Sequence, residues 1–114
     1  MESSIETVLE IGREEFYRAA RYQIPLSVLL INSDDKDLFN NLEKSLRPTD
    51  IIQQLSRELL VVLLTHTDLQ SANTFVKNIN KKIDFTFTLD EYKGFRVKFI
   101  EDLFASNQAL SKEY

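Results

Sequence analysis

The sequence has no cysteine and no tryptophan, and its 114 residues include one histidine, two glycines and two prolines. The absence of cysteine excludes disulfide bonds, thiolate metal sites and cysteine catalysis, and it is typical of a reducing compartment. The single histidine, His66, lacks the second histidine or cysteine that a zinc site of the usual kind requires. We therefore predict no metal site and no cofactor, and we expect His66 to lie in a solvated loop.

Long hydrophobic runs and an excess of positive charge are also missing. The longest apolar run, Leu59–Leu64, is far shorter than the roughly 18 residues expected of a membrane-spanning helix. The N-terminus carries Glu2, Glu6 and Glu10, so it does not resemble a signal peptide. With 14 basic and 18 acidic residues the formal net charge is −4, which argues against sequence-blind binding to nucleic acid. These absences predict a cytoplasmic protein whose partners are neither membranes nor nucleic acids.

The composition is that of one folded domain. Apolar residues make up 43% of the chain and charged residues 28%, a balance typical of soluble globular proteins. A chain of this length suits a single domain with its own hydrophobic core. We therefore predict one domain over residues 1–114, with no internal linker and no repeats.

The first part of the chain predicts a helix, a strand and a second helix. Apolar residues at spacings of three and four predict an amphipathic helix that ends by about Tyr22, because Pro25 restricts the residue before it. The nearly unbroken apolar run Leu26–Ile31 is typical of a strand that is covered on both faces. A short helix is predicted over about residues 36–46.

The middle of the chain predicts a hairpin and a further helix. The segments Ile51–Leu55 and Glu58–Thr65 predict two strands around a tight turn at Ser56–Arg57. Asp68, or the threonine before it, is a predicted N-cap for a helix whose apolar stripe extends to Ile83.

Beyond that helix the hydrophobic period changes from 3.6 to 2. The segments Phe85–Leu89 and Phe95–Phe99 alternate apolar and polar residues around turn residues 90–94, which predicts a second antiparallel hairpin with its phenylalanines in the core. A last short helix is predicted from Asp102. The expected fold class is α+β, with a central, mostly antiparallel sheet and helices packed on its faces.

Several stretches, in order along the chain, resemble the GGDEF family of diguanylate cyclases. Residues 18–31, RAARYQIPLSVLLI, resemble the family's passage from its first helix to its first strand. Arg47-x-x-Asp50, five residues and then SRELLVVLL are similar to the family's RxxD motif, its five-residue spacer, the GGDEF signature and the following apolar strand. Residues 106–110, SNQAL, resemble the family's ADxAL. The resemblance implies a nucleotide-cyclase-like fold over most of the chain.

The resemblance also implies which functional positions differ from an active cyclase. The signature glycines, against which the nucleotide's phosphates lie in the family, correspond to Ser56 and Arg57, whose Cβ atoms would occupy that space. The metal-binding carboxylate after the first strand corresponds to Asn32, and a neutral amide is a poor ligand for Mg²⁺. Glu58 retains the third signature position, but the next acidic position is Leu59. We therefore predict that this domain is not an enzyme.

The resemblance implies two alternative roles for Arg47 and Asp50. In the family the RxxD motif is an inhibitory site that grips cyclic di-GMP, because the guanidinium can fork onto a phosphate or a guanine edge and the carboxylate can accept from guanine nitrogens. Alternatively the two side chains form a surface salt bridge that braces a turn and adds only about 0–1 kcal/mol to stability. Free side chains would favour a cyclic di-GMP receptor. A mutual pair would favour a protein-interaction module or a homodimerisation module with no nucleotide ligand.

Overall fold

The computed structural model describes residues 2–111, which form a four-stranded sheet between two layers of helices. The elements in chain order are α1 (Glu2–Ile11), α2 (Arg13–Tyr22), β1 (Leu26–Asn32), α3 (Leu38–Ser45), β2 (Ile51–Ser56), β3 (Leu59–Thr65), α4 (Leu69–Asn80), β4 (Thr86–Glu91) and α5 (Arg96–Ser111). None of the helices described here is long and apolar enough to cross a membrane.

The sheet has the strand order β2-β3-β1-β4, and every neighbouring pair is antiparallel. The segment from β1 to β4 therefore follows the βαββαβ order of ferredoxin-like folds. The predicted α+β class, with an antiparallel central sheet and helices on its faces, is confirmed. The predicted first hairpin is confirmed as β2 and β3, although its turn lies at Arg57–Glu58, one residue later than expected.

Two hydrophobic cores lie on opposite faces of the sheet. Val28 and Leu30 of β1 contribute to the core under α1, α2 and α5, whereas Leu29 and Ile31 contribute to the core under α3 and α4. Because both faces of the central strands are covered, neither β1 nor β3 needs to alternate apolar with polar residues. This explains why their apolar runs were predicted to within a residue or two.

The N-terminal helix prediction was wrong at Gly12, where the structure divides one predicted helix into α1 and α2. A Cβ atom on Gly12 would lie 2.7 Å from Cδ2 of Leu63 and 2.9 Å from Cε2 of Phe16. Both neighbouring side chains are fully buried. Glycine is therefore required here because the backbone itself packs against the core. The predicted end of the helix is confirmed, since α2 ends at Tyr22.

Replacing Gly12 with alanine is expected to lower the free energy of unfolding by about 1–3 kcal/mol, the usual cost of adding a carbon to a filled core. The physical reason is the overlap of the new methyl group with Leu63 and Phe16. Urea denaturation followed by circular dichroism measures the change. Gly94→Ala is a useful contrast because no atom lies within 4 Å of its Cβ position, although its φ of 111° adds backbone strain of its own. An unchanged stability of Gly12→Ala would contradict this account of the helix break.

The predicted second hairpin was wrong, because only its first strand forms. Residues 86–91 are β4, but the expected second strand belongs to α5, which begins at Arg96 rather than near Asp102. Gly94 and Phe95 turn the chain with φ values of 111° and 56°. Phe95 is 87% exposed, so its predicted place in the core was also wrong. The alternating residues 95–99 hid the helical spacing of Ile100, Leu103 and Phe104, which are buried on one face of α5.

The start of α4 shows the predicted N-cap. The backbone N–H of Ser71 donates to Oδ1 of Asp68 at 2.8 Å, which satisfies a donor that the helix leaves unpaired. Hydrogen bonding from Ser71 lowers the pKa of the Asp68 carboxyl. His66, which precedes this cap, is exposed as predicted.

Candidate functional site

Asn32 ends β1 at the side of the sheet where the β2–β3 hairpin turns. It lies opposite Leu59 of β3 and Thr86 of β4. Its side chain exchanges two hydrogen bonds with the buried Asn107 of α5: Nδ2 of Asn107 donates to Oδ1 of Asn32 at 2.7 Å, and Nδ2 of Asn32 donates to Oδ1 of Asn107 at 3.2 Å. Nδ2 of Asn107 also donates to the Thr88 hydroxyl at 3.1 Å. The position is therefore part of a neutral, hydrogen-bonded cluster.

The hairpin turn beside this cluster consists of exposed polar residues. Ser56 is the last residue of β2, and Arg57 and Glu58 form the turn. Neither turn residue has a positive φ, so the backbone does not require glycine there, unlike the primed turns of many two-residue hairpins. A register shift between Gln54 and Ser56 accompanies the turn. The carbonyl of Glu58 accepts from the backbone N–H of Ser33 at 3.0 Å, which holds the turn against the end of β1.

The side chains at this end of the sheet do not fit a pair of Mg²⁺ ions. Within residues 2–111, no three or more carboxylate, histidine or cysteine groups lie close enough together to hold a metal ion. Asn32 offers a neutral amide already engaged by Asn107, whereas Mg²⁺ prefers carboxylates, water and phosphate oxygens. Glu58 remains as one exposed carboxylate. No step that depends on metal ions can be derived from this arrangement.

Arg47 and Asp50 form a bidentate ion pair in the loop between α3 and β2. Nε of Arg47 donates to Oδ2 of Asp50 at 3.1 Å, and an Nη of Arg47 donates to Oδ1 at 2.9 Å. The backbone N–H of Arg47 also donates to Oδ2 at 2.9 Å, and that of Asp50 donates to the Arg47 carbonyl at 3.0 Å. The four residues from 47 to 50 are thereby closed into a tight turn.

The same pair is tied to the end of β3. The Arg47 Nη that binds Asp50 also donates to the carbonyl of Thr65 and to the Thr67 hydroxyl. In return the Thr65 backbone N–H donates to Oδ1 of Asp50 at 3.1 Å. Hydrogen bonding to Asp50 raises the pKa of the Arg47 guanidinium. The Asp50 side chain is only 3% exposed, although that of Arg47 is 50% exposed, so the expectation of a surface salt bridge was wrong for the carboxylate.

A cleft of about 290 Å³ lies beside this loop, between α2 and the end of β3. Pro48 and Thr49, the two residues between Arg47 and Asp50, form part of its wall. Arg18 and His66 are among its polar lining residues. The Arg18 guanidinium is engaged by two carboxylates of its own helix, at 3.1 Å from Glu14 and 3.2 Å from Glu15.

Comparison with known proteins gives structural neighbours only. No protein-family model matches the sequence, and no curated protein sequence matches it. Eleven solved chains match, among them the following two, each with probability 1.00. A DGC protein from Thermotoga maritima superposes with a TM-score of 0.63 at 16% identity, covering 88% of this chain and 91% of that one. Diguanylate cyclase SiaD from Pseudomonas aeruginosa, in complex with its activator SiaC, superposes with a TM-score of 0.62 at 17% identity, covering 89% of this chain and 54% of that one.

This chain has the GGDEF-like fold of diguanylate cyclases. The resemblance drawn from the sequence is thus confirmed at the level of fold. In this GGDEF-like domain the structure brings Asn32 close to the turn residues Arg57 and Glu58 at one end of the sheet. Arg47 and Asp50 lie together at the other end of β2 and β3, beside Thr65. The two predicted sites are therefore separated by the length of the β2–β3 hairpin.

Sequence reasoning missed the partners of both sites. Asn107 lies 75 residues from Asn32, and it belongs to a helix whose start was placed too late. Thr65 and Thr67 were seen only as the end of a strand and a possible helix cap. A polar residue at a buried position of the α5 stripe, between Phe104 and the end of the helix, is the signal that would have identified Asn107.

Proposed function

We propose that this chain is a single, catalytically inactive GGDEF-like signalling domain that acts in the cytoplasm by binding another protein chain and not by converting GTP. The observation that carries the proposal is the Asn32–Asn107 pair. A carboxylate at position 32 would carry the negative charge that Mg²⁺ prefers in a ligand, whereas the amide is neutral and its oxygen and nitrogen are both used within the domain. The lack of cysteine in the sequence supports a reducing location.

The hairpin turn supports the same proposal. Phosphate groups that lie against a backbone need a turn with no side chains in the way. Here Ser56 and Arg57 carry side chains and adopt ordinary, negative φ values. The turn therefore keeps the path of the chain between β2 and β3 without offering a bare backbone surface to a triphosphate.

The contacts of Arg47 and Asp50 favour a structural role for the RxxD motif. A guanine base would need the Asp50 carboxylate as an acceptor, but that side chain is 3% exposed and accepts from Arg47 and Thr65. Guanine binding would have to replace these bonds with bonds of similar strength. Because Arg47 and Asp50 bind each other, the motif supports a protein-interaction module over a nucleotide receptor.

One structural neighbour supports the proposal of a protein partner. Diguanylate cyclase SiaD forms a complex with its activator SiaC, so a protein of this fold can be regulated by direct contact with another protein. We extend this to the present chain by analogy of fold alone. A second copy of the chain and a different protein are both partners of this kind.

A cyclic di-GMP receptor is the second candidate function, and one observation favours it. The cleft beside Pro48 and Thr49 has a volume of about 290 Å³, and Arg18 and His66 line it. The half-exposed Arg47 guanidinium lies in the same loop. A ligand there would meet Arg18, His66 and the Glu15 carboxylate that pairs with Arg18, without displacing Asp50. A titration with cyclic di-GMP therefore separates the two candidates.

Incubation of the purified domain with GTP and either Mg²⁺ or Mn²⁺ is expected to give no cyclic di-GMP above a protein-free blank. The reasons are the neutral Asn32 and the side chains on the hairpin turn. Liquid chromatography with mass detection measures the product. Product that disappears when Glu58 is replaced by alanine would overturn the proposed inactivity, because it would assign the reaction to this site and not to a contaminant.

A further inference from the structure

The two edge strands of the sheet, β2 and β4, differ in how well they are protected from pairing with a strand of another molecule. The β4 edge carries the charged residues Asp90 and Glu91. In addition, the Glu91 carboxylate accepts a hydrogen bond from the backbone N–H of Leu69. The β2 edge, IIQQLS, has no charged residue and no proline over its whole length. Sheet edges normally carry charges or prolines because an unprotected edge pairs with another strand. The β2 edge therefore lacks protective charges and prolines, and is protected only by its short length and by the register shift between Gln54 and Ser56.

The outer side of β2 is open within the described part of the chain. There β3 is the only strand that pairs with β2, and no loop backbone in residues 2–111 bonds to it. The side-chain amides of Gln53 and Gln54 donate to the carbonyls of Gln54 and Ser56 within the strand itself. Every second residue of an edge strand directs its N–H and C=O away from its neighbour. Ile51 packs into the core on one face of the sheet and Ile52 into the core on the other. The faces of β2 are thus occupied, and only its edge is available.

Charge favours a second copy of this chain as the occupant of that edge. The whole chain has a net charge of −4, so two copies repel each other overall and a contact between them is favoured where the surface is uncharged. The β2 edge carries no charge, and its ends carry an Arg47–Asp50 pair and the Arg57–Glu58 turn, each neutral in sum.

We propose that β2 pairs antiparallel with β2 of a second copy across a two-fold axis, forming one continuous eight-stranded sheet. An antiparallel strand edge is complementary to itself under such an axis, which is the commonest symmetry of homodimers. The register shift between Gln54 and Ser56 limits regular pairing to Ile51–Gln54. The interface is therefore small, and the dimer is weak. This inference rests on the proposed non-catalytic role, for which it names the partner.

Sedimentation velocity of the full chain from about 10 µM to about 1 mM, a range suited to small interfaces, tests the proposal. We expect a reversible, concentration-dependent shift from monomer to dimer. Gln53→Lys places a charge on an exposed residue in the middle of the edge, next to the same charge on the partner. It is expected to raise the dimer dissociation constant about tenfold or more. Thr86→Lys, which places the same charge at an exposed position of the β4 edge, is the matched control and is expected to have no effect.

Charge exchange at the same position makes the test specific for a β2–β2 contact. Gln53→Lys and Gln53→Glu are each expected to be monomeric where the unaltered chain is dimeric, because like charges lie close to the two-fold axis. An equimolar mixture of the two variants is expected to dimerise again, since opposite charges then face each other. Circular dichroism confirms that each variant is folded.

Three results would overturn the proposal: a monomer at every concentration, a dimer equally sensitive to Thr86→Lys, or a mixture that does not recover. None of these would contradict the proposed lack of catalysis, which the GTP assay tests independently. Recovery in the mixture together with an inert Thr86→Lys would establish the β2 edge as the dimer contact.

Discussion

Asp50→Ala is expected to lower the free energy of unfolding by about 2 kcal/mol, because removing the buried carboxylate leaves the half-exposed Arg47 guanidinium and the Thr65 backbone N–H without an acceptor. The Asp50 carboxylate is 3% exposed, and it accepts hydrogen bonds from the Arg47 side chain and from the Thr65 backbone N–H. Alanine would leave the guanidinium without its counter-ion and the end of β3 without an acceptor. The loop between α3 and β2 would then lose its attachment to the sheet.

Urea denaturation at neutral pH measures this change, and two further variants define its cause. Asp50→Asn keeps the shape of the side chain and one acceptor oxygen, so a smaller loss is expected. Asp34→Ala removes an exposed aspartate and is expected to change the stability by no more than about 0.5 kcal/mol. If Asp50→Ala matched Asp34→Ala, the pair would be an ordinary surface salt bridge, and the structural role assigned to the RxxD motif would be contradicted.

Asn107→Ala is expected to lower the free energy of unfolding by about 2 kcal/mol. The substitution removes the hydrogen bonds that Asn107 makes with the Asn32 amide and the Thr88 hydroxyl, which are partly buried. Alanine is the better helix former, so a loss of stability would reflect the hydrogen bonds and not the helix. Ser106→Ala, at an exposed position of the same helix, is the control and is expected to be neutral or slightly stabilising. Equal stability of the two variants would show that the cluster around Asn32 does not hold α5 to the sheet.

The sequence predicted the central strands well because a strand that is buried on both faces consists almost entirely of apolar residues. Leu59–Leu64 is apolar at every position and Leu26–Ile31 at every position except Ser27, as expected of strands covered on both faces. Prediction failed where a local pattern suited two structures. Residues 95–99 alternate apolar and polar side chains, yet the burial of Ile100, Leu103 and Phe104 is obtained only if the segment is helical.

The candidate positions could be placed relative to the strands from spacing, but their hydrogen-bond partners could not. The spacing of Arg47, Asp50 and the SRELL turn placed these residues relative to the strands. Whether Arg47 and Asp50 bind each other or a ligand depends on Thr65, 15 residues beyond Asp50 in sequence. The state of Asn32 depends on Asn107, a contact between the first strand and the last helix. Such contacts are fixed by the tertiary fold, and the neighbouring sequence does not identify which residue the partner is.

Calorimetric titration of the purified domain with cyclic di-GMP tests most directly the claim that it acts without a nucleotide. The account predicts no saturable heat at ligand concentrations up to about 1 mM, which corresponds to a binding free energy weaker than about −4 kcal/mol. Saturable binding in the micromolar range, lost in a folded Arg47→Ala variant, would contradict it and would assign the domain as a cyclic di-GMP receptor.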